Sequence, residues 1–137
     1  MRRFASIITL SIAIAGCAHQ RSLYDRMGGQ PVMTAIVDTF VSRIADDIHV
    51  APTFAKSDIP KFRQHLLEQF CMLTGGGCKY TGRDMKSVHE GMHLDEAQFN
   101  ALVEDLQDAM ATQRVPIELQ NEFIAKLAPL RPDIIHR

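Results

Sequence analysis

Two histidines in the stretch YTGRDMKSVHEGMH, residues 80–93, have the types and spacing of a metal site. His89 and His93 flank Glu90 as H-E-x-x-H, a pattern in which two imidazoles on one helix face bind zinc and the glutamate acts as a general base. This chemistry needs one continuous helix through both histidines, and Gly91 weakens such a helix by about 1 kcal/mol relative to alanine. No acidic residue farther along has the spacing of a third ligand. A small zinc peptidase is one function that the sequence leaves open.

His65 suggests a second kind of chemistry together with His89. The two histidines are 24 positions apart on either side of a glycine triplet, so their segments can fold toward each other. An apolar slot with a neutral imidazole pointing into it is how proteins hold haem iron. The same residues also suit an ordinary helical core. The phenylalanines available to form such a slot are Phe40, Phe54, Phe62, Phe70 and Phe99.

The first seventeen residues, MRRFASIITLSIAIAGC, have the form of an export signal. A basic start precedes an apolar stretch that is too short to span a bilayer as a helix, and small residues precede Cys17. The form resembles a bacterial lipoprotein signal, which implies cleavage after residue 16, lipidation of Cys17 and a tether over residues 17–21. The protein would then be held at a membrane surface on the exported, periplasmic side. An ordinary cleaved signal or an uncleaved anchor is the alternative.

The remaining cysteines, Cys71 and Cys78, form a candidate pair. An exported compartment is oxidising, so we expect a disulfide between them. The closed loop of eight residues would contribute about 2.5 kcal/mol to stability. Two unrelated thiols are the alternative. The sequence has no C-x-x-C-H motif, so covalent attachment of a c-type haem is not expected.

Charge and length limit the classes of function. Removing residues 1–16 takes away two of the 15 basic residues and none of the 16 acidic ones, which leaves a net charge of −3. A mildly acidic chain without a basic run has no electrostatic basis for binding nucleic acid. The rest of the chain suits one domain around a single core, and we assign residues 22–137 to it.

Apolar residues recur along this domain at the 3.6-residue spacing of helices, and no stretch alternates like a strand. The sequence therefore predicts an all-α fold. Pro52, Phe54 and the stretch around His89 are expected in irregular connections. Five helices are predicted. The first covers residues 22–27, and the second runs from Pro31 to Asp46 or Asp47. The third begins at a cap on Ser57 or Asp58 and ends at the glycine triplet, the fourth begins at a cap on Asp95, and the fifth begins at Val115-Pro116.

Five motifs, in this order and with this spacing, resemble the group I truncated haemoglobins. The resemblance covers essentially all of the chain after the export signal, and it implies a two-over-two helical sandwich around one non-covalent haem b. The motifs are LYDRMGG (23–29), VDTFVSRIADD (37–47), FAKSDIPKFRQH (54–65), GGGCKYTGRDMKSVHEG (75–91) and VPIELQNEFIAKLAP (115–129).

The resemblance also implies roles for individual residues. His89, in MKSVHEG, matches the proximal iron ligand, so this stretch would be a loose connection with a short helical turn. Gly91 and His93 would then be neighbours of the ligand and not part of a zinc site. Other positions that the resemblance places at the haem are Phe40, Phe54, Tyr80, Met85 and Phe99.

The distal side departs from the family pattern. Many members carry a tyrosine where Val41 stands and a glutamine or another donor where Phe62 and Leu66 stand. Without such a donor, bound oxygen would lose about 1.5–3 kcal/mol of stabilisation, or one to two decades in affinity. His65 matches a histidine that cyanobacterial members use as an internal sixth ligand. Iron ligation, a hydrogen bond to a haem propionate and exposure at the rim all remain open for it.

By resemblance, the protein would bind O2, NO or CO, or transfer electrons, at the cell envelope. Conversion of nitric oxide to nitrate, with electrons from an unidentified reductase, is the implied reaction. A sensor that turns over nothing fits nearly as well. The zinc peptidase of His89, Glu90 and His93 and a purely structural lipoprotein are the alternatives.

Overall fold

The computed structural model describes residues 21–137, so the export signal, Cys17 and His19 lie outside the described residues. Every regular element in this range is helical, which confirms the all-α prediction. No helix among these residues is both long and apolar enough to cross a membrane. The elements are α1 (Leu23–Met27), α2 (Gly29–Asp46), α3 (Ala51–Phe54), α4 (Ile59–Leu73), α5 (Met85–His89), α6 (Glu96–Thr112), α7 (Ile117–Leu127) and a 3₁₀-helix (Ala128–Asp133).

The four longest helices form two pairs. Helix α2 packs against α4, and α6 packs against α7. The α2–α6 contact, the most extensive in the fold, joins one pair to the other. This is the two-over-two sandwich that the sequence predicts. The short helices α3 and α5 lie in the connections, and α5 packs against the 3₁₀-helix.

The apolar stripe of each long helix forms the core. A fully buried valine, leucine, isoleucine, phenylalanine or methionine side chain stabilises the fold by about 1.5–3 kcal/mol. The core therefore supplies most of the free energy that holds the helices together. Its members from the four long helices are Met33, Ile36, Val37, Phe40 and Ile44 of α2, Leu66 and Phe70 of α4, Leu106, Ala109 and Met110 of α6, and Phe123 of α7.

Local capping explains most helix boundaries. Asp58 accepts a hydrogen bond from the Lys61 amide at the start of α4, and Asp95 with Gln98 forms a capping box at the start of α6. Both carboxylates satisfy backbone donors that the first helical turn leaves free. The predicted caps at these two positions are confirmed.

Two predicted boundaries were wrong. Helix α2 begins at Gly29 and not at Pro31, because Gly28 adopts a left-handed φ of +112° that ends α1 and starts α2 directly. A side chain at Gly28 would also collide with Val32. Pro52 and Phe54 are not in an irregular connection but in α3, where proline sits in the first turn and its missing N–H leaves no helical hydrogen bond unmade.

Candidate functional site

His89 is the last residue of α5, a helix of only five residues. Asp84 caps this helix by accepting hydrogen bonds from the amide and hydroxyl of Ser87, at 2.9 and 2.7 Å. The Nδ1 atom of His89 lies 2.7 Å from the Met85 carbonyl oxygen, which can only accept. Nδ1 must therefore carry the proton, and the Nε2 lone pair of this half-buried imidazole stays available for a metal.

The chain leaves the helical conformation immediately after His89. Gly91 has a φ of +79° and His93 a φ of +51°, so the two histidines of HEGMH do not share a helix face. Among residues 21–137, no group of three or more histidine, cysteine, aspartate or glutamate side chains could hold a metal ion. The zinc-peptidase alternative therefore lacks both its helix and its third ligand.

The loop behind His89 is closed by the far end of the chain. The His93 amide donates to the Arg137 carbonyl, and the His136 amide donates to the Leu94 carbonyl, both at 2.9 Å. Ile135, next to this pairing, is buried. The side chains of His93 and His136 are exposed, so the pairing positions the backbone and not the imidazoles.

The residues that the sequence assigned to haem fall into two groups. Phe40, Leu66 and Phe70 are buried in the core, where the rings of Phe40 and Phe70 have centroids 6.3 Å apart. The others lie at the edge of the core with part of each side chain exposed. These half-buried residues are Val41, Phe54, Phe62, His65, Tyr80, Met85, His89 and Phe99.

Three of the half-buried residues border one apolar cavity of about 250 Å³ between α2, α3 and α4. Val41 faces it from α2, Phe54 from α3 and Phe62 from α4. The Phe54 and Phe62 rings pack with centroids 4.8 Å apart. The rest of the lining is alanine and isoleucine, so the cavity offers a bound molecule no side-chain hydrogen-bond donor.

The connecting segment, residues 78–85, leads from the glycine triplet to α5 and packs along α4. A disulfide joins Cys71 of α4 to Cys78 at the start of the segment, as the sequence predicts. Glu68 accepts hydrogen bonds from the Thr81 amide and hydroxyl, at 2.9 and 2.7 Å. These bonds, the one from the hydroxyl above all, lower the pKa of Glu68 and keep it charged.

Gln69 adds a hydrogen bond to the connecting segment, 3.3 Å from its Nε2 to the Met85 sulfur. Met85 is thus held at the start of α5. The sequence analysis did not single out Glu68 or Gln69. Both stand on the polar side of an amphipathic helix, where solvation is the usual role, and no spacing rule connects them with residues 13 and 16 positions away.

His65 contacts Tyr80 of the connecting segment. The ring centroids are 5.9 Å apart and the ring planes are tilted by 71°, an edge-to-face arrangement. The Tyr80 hydroxyl donates to the Arg83 carbonyl at 2.8 Å. Burial, followed by the charge of Glu68, raises the pKa of Tyr80, so its phenol stays protonated and keeps this bond.

Phe99 differs from the other residues predicted at the haem because a charged side chain lies over its ring. It is half-buried on α6, and the guanidinium of Arg131 lies 5.7 Å from the centroid of its ring. Arg131 also pairs with Glu96 at 2.8 Å. Phe99 therefore has one charged neighbour of its own, while its remaining surface is free to cover an apolar group.

The donor set at this site fits haem. An imidazole with its Nδ1 proton held by a backbone carbonyl is the form in which histidine binds haem iron through Nε2, and His89 has this form. The half-buried apolar side chains of α2, α3, α4 and α6 suit the apolar faces of a porphyrin. His89 would hold the iron, and Val41, Phe62 and Leu66 would stand on the other side.

The chain and its fold have counterparts among known proteins. A family model described as bacterial-like globin matches residues 22–136. The chain is 34% identical over 116 residues to "Group 1 truncated hemoglobin GlbN" of Nostoc sp. (strain MUN 8820). The aligned region covers 85% of this chain and 98% of that protein.

Two solved structures share the fold. The ferric truncated haemoglobin of Tetrahymena pyriformis superposes with a TM-score of 0.83 at 26% identity, covering 85% of this chain and all of that one. The 2/2 haemoglobin of Synechococcus sp. PCC 7002, crystallised in the cyanomet state with covalently attached haem, superposes with a TM-score of 0.79 at 26% identity and the same coverage.

Proposed function

Because the chain belongs to the bacterial-like globins and, among them, to the group 1 truncated haemoglobins, we propose that His89 is the proximal iron ligand of a gas-binding haem and that His65 is an exchangeable ligand on the distal side. Haem is the cofactor of this family and of this chain. When bound, its iron supplies an axial position for O2, NO or CO and a one-electron change between ferrous and ferric states.

The observation that carries the proposal is the contact between His89 and the Met85 carbonyl. It selects the tautomer that leaves Nε2 free, and it fixes the ring plane, because the ring cannot rotate without breaking the bond. Asp84 stabilises the short helix in which both residues lie. The chain thus presents one oriented imidazole.

The distal residues determine which gas is held. Val41 and Phe62 face the apolar cavity, and Leu66 is buried. None of these side chains has a polar hydrogen, so none can donate a hydrogen bond to a bound gas. Oxygen gains more than carbon monoxide from such a donor, because bound oxygen carries more negative charge. We therefore expect weak oxygen binding. Ligation by His65 would raise the apparent Kd of every gas in inverse proportion to the fraction of protein in which the iron is open.

The first test replaces His89 with alanine. Without the oriented imidazole, haem should bind at least tenfold more weakly, and the absorption spectra of the ferric, ferrous and carbon-monoxide forms should lose their histidine-ligated character. His93→Ala is the matched control, because His93 is exposed and belongs to the same HEGMH stretch, and it should leave all three spectra unchanged. Unchanged spectra in the His89 variant would show that another residue holds the iron.

Reaction with nitric oxide is the second function that we propose. The apolar cavity beside Val41 and Phe62, about 250 Å³ in volume, can hold a second small apolar gas molecule next to the distal side. Converting nitric oxide to nitrate consumes one O2, which supplies both added oxygen atoms, and one electron per turnover, which a reductase would supply. Nitrate formation in aerated solution, measured against free haem, distinguishes this reaction from simple gas binding.

We place this activity at the cell envelope. The support is the lipoprotein-like start that ends in Cys17 and the pairing of Cys71 with Cys78, which suits an oxidising exported compartment. In this arrangement the lipid on Cys17 holds the haem domain at a membrane surface.

A further inference from the structure

Tyr80 lies in a connection between helices, yet hydrogen bonds and close packing hold both its side chain and the residues next to it. Its hydroxyl donates to Arg83, and the next residue, Thr81, is bound to Glu68 through both its amide and its hydroxyl. Gly82 packs so closely against the ring that an added Cβ would overlap the phenol carbon and oxygen. Backbone and side-chain contacts thus fix the ring on both sides.

The fixed ring faces His65. Tyr80 lies on the connecting segment and His65 lies on α4, and their ring planes are tilted by 71°. His65 is one turn before Glu68, the residue that binds Thr81, so the same stretch of α4 carries both the imidazole and the attachment of the ring it contacts. The position of one therefore determines the position of the other.

We propose that Tyr80 is a positioning residue for His65: its ring is the site where the imidazole rests when it is not on the iron. This inference rests on the proposed function, in which His65 is an exchangeable ligand. Leu66 and Phe70 anchor α4 in the core, so rotation of the His65 side chain is the smallest movement that takes its imidazole from the iron to Tyr80. The edge-to-face contact with Tyr80 stabilises the released position and so sets the fraction of protein that is open to a gas.

The size of the effect follows from the contact. An aromatic pair of this geometry shifts an equilibrium by about two- to tenfold. Removing the ring destabilises only the released position, so the ratio of His65-ligated to open protein should rise by the same factor. The apparent affinity for carbon monoxide should fall in proportion, provided that His65 occupies the iron in most molecules.

The test compares Tyr80→Leu with Tyr80→Phe in the haem-loaded protein. Phenylalanine keeps the ring and loses only the bond to Arg83, so its low-spin ferric fraction should stay near the wild-type value. Leucine should raise the ratio of low-spin to high-spin ferric protein two- to tenfold and weaken carbon monoxide binding to match. Equal spectra for the two variants and the wild type would overturn the inference.

A second background separates positioning from a general structural role. In His65→Ala, the Tyr80→Leu change should alter the spin state and the carbon monoxide affinity much less than it does with His65 present, because the residue that Tyr80 positions is absent. An equal effect of Tyr80→Leu with and without His65 would mean that Tyr80 acts on the haem by another route, and the inference would be wrong.

Nuclear magnetic resonance of the wild-type protein tests the same contact without depending on whether a variant folds. In the carbon-monoxide form, nuclear Overhauser contacts should connect the ring protons of His65 and Tyr80, and these contacts should weaken in the ferric low-spin form. The haem-free protein should show the same contacts, as well as a ring-current shift of the His65 protons that Tyr80→Leu removes. Absence of the contacts in the carbon-monoxide form contradicts the inference.

Different results test the iron ligation by His65 and the rest site at Tyr80. If wild-type ferric protein is high-spin and His65→Ala does not change it, then His65 is no iron ligand, and both the exchangeable ligand and its rest site are wrong. If the wild type is low-spin through His65 but Tyr80→Leu has no effect, only the role of Tyr80 is wrong.

Discussion

Two side chains at the residue scale would decide what the proposed haem site can bind. His89 is the proposed iron ligand, with its tautomer set by the Met85 carbonyl at 2.7 Å. Val41 borders an apolar cavity on the proposed distal side and has no group that could donate a hydrogen bond to a bound gas. Strong ligation on one side and an apolar surface on the other favour gases that gain little from hydrogen bonding.

Val41→Tyr should restore a distal donor. The cavity of about 250 Å³ beside residue 41 gives the larger ring space, and we expect its hydroxyl to face a gas bound on the proposed distal side. A hydrogen bond to the charged form of bound oxygen is worth about 1.5–3 kcal/mol, so oxygen dissociation should slow about ten- to hundredfold. Rapid-mixing kinetics of the ferrous protein measure this rate.

Val41→Phe is the matched control for this change. It adds almost the same volume as tyrosine but no hydroxyl, so any steric effect appears in both variants and the hydrogen bond in only one. Equal oxygen dissociation rates for the two variants would contradict the expected role of position 41.

At the scale of elements, the connecting segment 78–85 joins α4 to α5, the helices that carry the proposed distal and proximal ligands. It is bound to α4 by the cysteine pair, by Thr81 on Glu68 and by Met85 with Gln69, and it continues directly into α5 and His89. We therefore expect the two sides of the proposed haem site to be coupled, because a change in how the segment packs on α4 would move the start of α5.

Cys78→Ser should lower the free energy of unfolding by about 2.5 kcal/mol, the chain-entropy contribution of an eight-residue loop. Cys78 is the better position to replace, because it is exposed while Cys71 is buried. Urea unfolding monitored by circular dichroism measures the difference. Wild-type protein treated with a dithiol reductant should match the variant, and identical midpoints for oxidised and reduced wild type would show that the two cysteines are not bridged.

Local signals account for the parts of the fold that could be predicted. The caps at Asp58 and Asp95 and the stop at Gly28 depend on a few neighbouring residues, so the sequence indicates them directly. Helix α3 was missed because four residues show no periodicity.

The site was predictable only in part. The role proposed for His89 comes from a motif and stays a prediction. The contact of His65 with Tyr80 spans 15 positions and forms only when the connecting segment packs on α4. No local pattern indicates such a contact, and the same is true of the bonds between Glu68 and Thr81.

At the scale of the whole molecule, charge is distributed unevenly. Ion pairs cross between elements, such as Arg26 with Glu122 and Arg43 with Asp108, but their exposure limits each to about 1 kcal/mol or less. Along α2 and α6, an open groove collects the carboxylates of Asp38, Asp46, Asp47 and Asp105. One Asp105 oxygen is buried there without a hydrogen-bond partner.

Asp105→Asn should stabilise the fold at neutral pH by up to about 1 kcal/mol. Burial, followed by the charge of Asp47, raises the pKa of Asp105. An acid with a raised pKa favours the folded state below its unfolded pKa, and this contribution disappears as pH rises through the folded pKa. The charged form at pH 7 is therefore unfavourable, and asparagine removes it.

The pH dependence distinguishes this effect from a simple change of net charge. The gain from Asp105→Asn should disappear near pH 3, below the usual range for aspartate, where the wild-type carboxyl is already protonated. Glu104→Gln removes the same charge from the exposed neighbouring position and should change stability by only a few tenths of a kcal/mol. Thermal unfolding at both pH values provides the comparison, and a gain that persists at pH 3 would exclude the electrostatic cause.

The pairing of residues 93 and 94 with residues 136 and 137 has a consequence for how the protein is made. A ribosome delivers His89 and its helix well before it delivers residues 136 and 137, so the loop behind the proposed iron ligand stays open while α6, α7 and the 3₁₀-helix are made. The proposed haem site gains this backbone restraint only once residues 136 and 137 have emerged. Capture of the porphyrin in its final geometry therefore waits for these later elements and cannot be completed when His89 itself appears.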